Sequence, residues 1–100
     1  VSERRAALVT GAGGAIGRAV ATRLGADGFA VACVDVDLAA ARGTAAATEG
    51  ARAFRCDVRS EAQVLRTRDA VTRVLGPPWL LVNVAGAFFE HRITELAERD

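Results

Sequence analysis

Short apolar runs alternate along this chain with longer segments whose apolar residues recur at helical spacing. Ala6–Thr10 (AALVT) is too short for a helix and is followed at once by glycines, so it reads as a strand. From Ala15 onward, Ile16, Val20 and Leu24 mark one face of a helix, and Asp27-Gly28 ends it with Gly28 as a left-handed cap. Residues 29–34 (FAVACV) are apolar on both faces, as suits a buried parallel strand. Residues 38–49 are dominated by alanine, the best helix former, and Gly50 stops them. Residues 51–56 predict a third strand. Ser60 and Gln63 form a capping box, in which the Ser60 hydroxyl meets the Gln63 N–H and the Gln63 side chain reaches back. The helix they open carries Val64, Val71, Val74 and Leu75 on one face, and Gly76-Pro77-Pro78 terminates it. Residues 79–84 (WLLVNV) predict a fourth strand, with Trp79 packed against the preceding prolines. Ala85-Gly86 is then a turn, residues 87–93 a loop and residues 94–100 the start of a further helix.

Strands and helices therefore alternate as β-α-β-α-β-α-β. Helical crossovers between short, doubly apolar strands imply an α/β fold with a parallel sheet and right-handed connections. The 100 residues are expected to form one domain, 1–100, with no internal repeat or linker.

Charge and composition narrow the function classes. A net charge of +1 argues against a dedicated nucleic-acid or membrane-surface binder. No apolar run approaches the ~20 residues that span a bilayer, and no signal-peptide pattern opens the chain. Cys33 and Cys56 stand far apart and read as buried small hydrophobes in a reducing compartment, so the expected location is cytoplasmic. His91 is the only histidine, and with two distant cysteines it makes no metal-ligand array. There is no Met, no Tyr and, among 13 basic residues, no Lys. A Walker P-loop, a Schiff-base lysine and a Tyr-Lys catalytic pair are thereby excluded from these residues.

Gly11, Gly13, Gly14, Ala15, Ile16 and Gly17 lie between the first strand and its helix (TGAGGAIG). Glycines there let backbone N–H groups approach a pyrophosphate, and the helix N-terminus adds partial positive charge. The G-x-G-x-x-G spacing is not met, because position 16 is Ile. The turn fits T-G-x-x-x-G-x-G, with Ala15 in place of the second glycine. That Ala is tolerable if its φ is negative.

Asp35, at the end of the second strand and roughly 20 residues beyond the turn, can accept both hydroxyls of an adenosine ribose and would repel a 2′-phosphate, favouring NAD over NADP. Asp37 fits better as a helix cap. Asp57 and Val58 follow the third strand, where the carboxylate can accept from an adenine amino group and the Val58 N–H can donate to the ring. At the end of the fourth strand, Asn83 can brace neighbouring strand ends, and the small residues Ala85 and Gly86 let a nucleoside pass close to the backbone.

Together TGAGGAIG, the VDVD strand end, CDV and LVNVAG resemble the short-chain dehydrogenase/reductase family, whose pattern runs TGxxxGIG, an acid ending strand 2, D-V after strand 3, then NNAG. The resemblance covers nearly the whole chain. It departs at Ala15, for Gly, and at Val84, for the second Asn. It implies a Rossmann-like doubly wound parallel sheet, of which this chain holds the first four strands in the order 3-2-1-4. It further implies an NAD(H)-dependent oxidoreductase moving a hydride between a hydroxyl or carbonyl substrate and nicotinamide. Residues 11–17 would cradle the pyrophosphate, Asp35 and Val36 would lie at the adenosine ribose, Asp57 and Val58 at the adenine, and Asn83, Ala85 and Gly86 along the cleft. The family's catalytic Asn, Ser and Tyr-x-x-x-Lys have no counterpart in these residues, so the chain is expected to be the cofactor-binding half, with catalysis supplied beyond Asp100. A homo-oligomer, dimer or tetramer, is implied for the full-length protein.

Two other readings are kept. An S-adenosylmethionine-dependent methyltransferase also uses a glycine turn and an acid ending strand 2, but its G-x-G-x-G pattern is broken at Ala15. A non-catalytic nucleotide-binding protein would account for the missing Tyr and Lys.

Overall fold

A computed structural model describes residues 4–84. In chain order these form β1 (Ala6–Thr10), α1 (Ala15–Ala26), β2 (Ala30–Asp35), α2 (Leu38–Ala46), β3 (Arg52–Arg55), α3 (Glu61–Leu75) and β4 (Pro78–Asn83). The four strands make one sheet in the order β3-β2-β1-β4, every pair parallel. This is the expected α/β architecture and strand order. Parallel neighbours need crossover helices, and α1, α2 and α3 supply them.

Burial explains why β2 reads apolar throughout. Val31 and Cys33 point into a cluster with Val9, Ala12, Ala21 and Ala41, under α1 and α2. The alternate residues Ala32 and Val34 join Cys56 and Val71 under α3. Helices thus cover both faces of the central pair β1–β2, as side-chain alternation along a strand demands. The α1 and α2 side is built of small residues because the elements approach closely. A Cβ on Gly25 would lie 2.4 Å from Thr48 Cγ2, so helix α1 meets the end of α2 at bare backbone.

Element ends differ from the periodicity reading in ways with clear causes. Helix α2 stops at Ala46, short of Glu49, because its last turn tightens. The Ala47 and Thr48 N–H groups donate to Thr44 and Ala45 carbonyls, and the buried Thr48 hydroxyl donates to the Thr44 carbonyl. Gly50, at φ +74, then turns the chain into β3 rather than ending the helix itself. Half of the expected capping box forms: the Gln63 N–H donates to Ser60 Oγ at 3.3 Å. The Gln63 side chain instead accepts from the Asp57 N–H at 2.9 Å, since the Ser60 N–H is taken by the Asp57 carbonyl at 3.0 Å.

Helix α3 buries Thr67 and Val71, whereas Val64 and Val74 are 40% and 44% exposed. Its 15 residues run about 22 Å and β3's four about 13 Å, so the helix is longer than the strand it follows. Strand β4 also departs from burial on both faces. Trp79 and Leu81 are largely exposed, because among the described residues β4 pairs only with β1 and forms an edge. The Trp79 ring lies 6.0 Å from the Phe29 ring and 4.5 Å below the Arg5 guanidinium carbon.

The contrast within α3 is measurable. Val71→Ala should lower unfolding stability by about 2 kcal/mol, and Val64→Ala by less than about 1 kcal/mol, in urea titrations. Equal losses would mean that the helix face is rotated from the one described.

Candidate functional site

The turn after β1 is shaped by contacts that only bare backbone allows. Gly11 has φ +69, in the left-handed region, and its carbonyl accepts the Gly14 N–H at 3.1 Å. A Cβ on Gly17 would fall 2.0 Å from the Gly11 carbonyl oxygen, so the first turn of α1 presses directly on the loop. The buried Ala12 fixes the loop to its neighbours. Its N–H donates to the Val34 carbonyl at 3.1 Å and its carbonyl accepts the Thr44 hydroxyl at 2.7 Å. Ala15 is the first residue of α1, and no non-glycine described residue has a positive φ. The methyl that replaces a glycine in the pattern is therefore unstrained, and it is exposed.

Helix α1 is the one described helix whose start carries no side-chain cap. Asp37 accepts from the Ala40 N–H to cap α2, and Ser60 caps α3. Gly14 offers α1 nothing comparable, and its first turn contains no acid. The first intrahelical bond runs from the Arg18 N–H to the Gly14 carbonyl. The N–H groups of Ala15, Ile16 and Gly17 thus have no partner within the helix, at its positive end.

Asp35 closes β2 beside this turn. One carboxylate oxygen accepts the Gly13 N–H at 2.9 Å and the other the Asp37 N–H at 2.9 Å. The helix-capping role falls to Asp37, as expected, and leaves Asp35 to the cleft. At the end of β4, Asn83 Oδ1 accepts the Thr10 hydroxyl at 2.6 Å. These two residues are register partners, so the amide braces adjacent strand ends.

After β3, Asp57 is locked to Arg59. Its Oδ1 accepts the Arg59 N–H and Nε, and its Oδ2 accepts Nη2, all at 3.0 Å. The hydrogen bonds and charge of Arg59 hold the Asp57 carboxyl below the usual carboxylate range. Burial instead pushes the Cys33 thiol up to about 11, which keeps it neutral and unreactive near pH 7.

The turn, Asp35 and the Asp57 loop converge on one open cleft of about 710 Å³, whereas Asn83, expected along it, does not line it because its amide oxygen is turned to the Thr10 hydroxyl. Gly11, Gly14, Ala15, Ile16 and Gly17 form one wall, Asp35 and Val36 a second, and Asp57 and Val58 a third. Gly13 is set back from the wall and works by its bond to Asp35. Val84 also lines the cleft, within the 83–86 segment expected along it, and Val34, Cys56 and Arg59 line it without having been anticipated. Val34 and Cys56 sit at or just past strand ends, a position that could have flagged them; Arg59 had no such signal beyond following Asp57-Val58. Ala85 and Gly86, and the expected loop with His91, lie outside the described residues. Among the described residues no group of His, Cys, Asp and Glu could hold a metal, and no helix is long and apolar enough to cross a membrane.

Comparisons with known proteins agree with this arrangement. A family model described as short chain dehydrogenase matches residues 5–100. The chain is similar to mouse (3R)-3-hydroxyacyl-CoA dehydrogenase, at 37% identity over 94% of this chain and 41% of the relative. It is similar to D-threitol dehydrogenase of Mycolicibacterium smegmatis, at 40% identity over 82% of this chain and 33% of the relative. Among solved structures, 3-ketoacyl-(acyl-carrier-protein) reductase from Brucella melitensis, complexed with NADH, superposes with a TM-score of 0.81 and 34% identity, covering 92% of this chain and 38% of that one. The chain thus spans about two fifths or less of the length of these relatives. From its glycine turn to the end of β4, it belongs to the short-chain dehydrogenase family of oxidoreductases.

Proposed function

We propose that this chain is the cofactor-binding half of an NAD(H)-dependent oxidoreductase acting on a small hydroxyl or carbonyl substrate. The observation that carries the reading is the Asp35 carboxylate, tied to the glycine turn and facing the same cleft as the uncapped start of α1. A carboxylate has about four lone-pair sites. Two on Asp35 are occupied by backbone N–H groups, and two are left for a pair of adjacent ribose hydroxyls. The N–H groups of Ala15, Ile16 and Gly17 suit a diphosphate, which completes the helix end electrostatically. Negative charge at Asp35 opposes a further phosphate on the same ribose.

When bound, nicotinamide supplies the hydride-transfer chemistry, which lies in the cofactor and not in the protein. This chain's residues bind and orient. The turn holds the diphosphate, Asp35 the ribose, and Val36 and Val58 offer exposed aliphatic faces to a flat base. Asn83 keeps the ends of β1 and β4 in register beside them. Proton transfer to substrate and most of the substrate pocket belong to the rest of the polypeptide, as does assembly into a dimer or tetramer. The NADH in the Brucella melitensis reductase structure supports the choice of cofactor.

Asp35→Ala should weaken NADH binding by about tenfold or more, followed by nicotinamide fluorescence, and should narrow the preference for NADH over NADPH. An unchanged preference would remove Asp35 from the ribose site. A second expectation concerns pH. The folded-state pKa of Asp57 is depressed, so its favourable interactions are complete above the unfolded value of about 3.9 and are lost as pH falls through the folded value. In an NMR titration, Asp57 should protonate below the usual carboxylate range, and Arg59→Ala should move it upward. No upward movement would mean that the pair does not persist in solution.

A further inference from the structure

The loop after β3 holds a planar cation that the cofactor reading leaves without a task. Arg59 lines the cleft, and its fork grips both oxygens of Asp57. The Arg59 N–H adds a third bond, to Oδ1. The backbone on either side is held as well, since the Asp57 N–H goes to Gln63 Oε1 and the Asp57 carbonyl takes the Ser60 N–H. The Asp57 carboxylate therefore has one orientation. An exposed pair of this kind adds little to stability, and the Arg59 side chain is 81% exposed. Its consequence is directional.

Of about four lone-pair sites on a carboxylate, Arg59 takes two on Oδ1 and one on Oδ2. One acceptor site remains, on Oδ2. The nearby cleft walls at Val36 and Val58 are aliphatic and 54% and 40% exposed. A flat ring lying along those faces with an N–H donor at its edge fits this arrangement. A ring with a carbonyl at that edge would set lone pair against lone pair.

We propose that Arg59 is a positioning residue for base recognition: its fork fixes the Asp57 carboxylate, so that the one remaining acceptor site stays aimed at the edge of the base and selects a purine bearing an exocyclic amino group over one bearing a carbonyl there, whereas a freely turning carboxylate can swing away from either. This rests on the dinucleotide reading above and adds a selectivity to it. The selectivity depends on the fork rather than on charge alone. A lysine would keep the charge and lose the two parallel bonds that fix the carboxylate plane.

The test compares binding of NADH and of reduced nicotinamide hypoxanthine dinucleotide, in which a carbonyl replaces the amino group. The intact chain, Arg59→Lys and Arg59→Ala are each titrated, with circular-dichroism melts to verify that all three fold. The unaltered chain should prefer NADH by about tenfold, the worth of one hydrogen bond to a charged acceptor. In both variants the preference should fall to about threefold or less. A preference in Arg59→Ala equal to that of the unaltered chain overturns the assignment, and so does an unaltered chain that binds both dinucleotides equally. An unaltered chain that binds neither dinucleotide overturns the cofactor reading itself, and this proposal with it.

Discussion

Two hydrogen bonds made by one carboxylate organise the functional end of this molecule. Asp35 accepts from the Gly13 N–H on one oxygen and from the Asp37 N–H on the other. The first bond joins the end of β2 to the turn after β1; the second shapes the entry to α2. Because β1 and β2 are parallel neighbours, their carboxyl ends lie side by side, and helices must begin at that same edge. The acid therefore stands beside the one described helix start that lacks a side-chain cap. Ligand-sized space, backbone donors and a fixed acceptor come together because of sheet topology, at the edge where open α/β sheets bind their ligands.

That arrangement depends on smallness. The Gly17 position against the Gly11 carbonyl and the Gly25 position against Thr48 leave no room for a side chain. Ala12, Ala21 and Ala41 continue the same close packing beneath the turn. The alanine-rich composition thus serves two ends. It favours helix, and it lets α1 and α2 sit close enough that the buried Thr44 hydroxyl reaches the Ala12 carbonyl and pins the loop. The opposite face, under α3, is packed around Ala32, Val34, Cys56 and Val71, and leaves Val64 and Val74 of the helix exposed.

Much of this was legible in the residues because short doubly apolar runs and helical spacing are strong local signals. Asp35, Asp57-Val58 and the glycine turn apart from Gly13 reached the cleft, and the Asn83 brace formed as expected. What escaped was tertiary. The end of α2 is set by its tightened last turn and the Thr48 hydroxyl bond to the Thr44 carbonyl, the far arm of the capping box by competition for the Ser60 N–H, and the exposure of Trp79 and Leu81 by β4's edge position. Arg59 escaped because a charged residue in a loop has no periodicity. Only its bidentate grip on Asp57 distinguishes it from an ordinary solvated arginine.

The central claim is that the start of α1 and the Asp35 carboxylate form one binding site. Titrating NADH into the ¹⁵N-labelled chain tests it most directly. The amide signals of Gly13, Ala15, Ile16, Gly17 and Val36 should shift together, along curves that give one dissociation constant. Shifts confined to other parts of the chain, or turn and Asp35-side amides that respond with different constants, would contradict it.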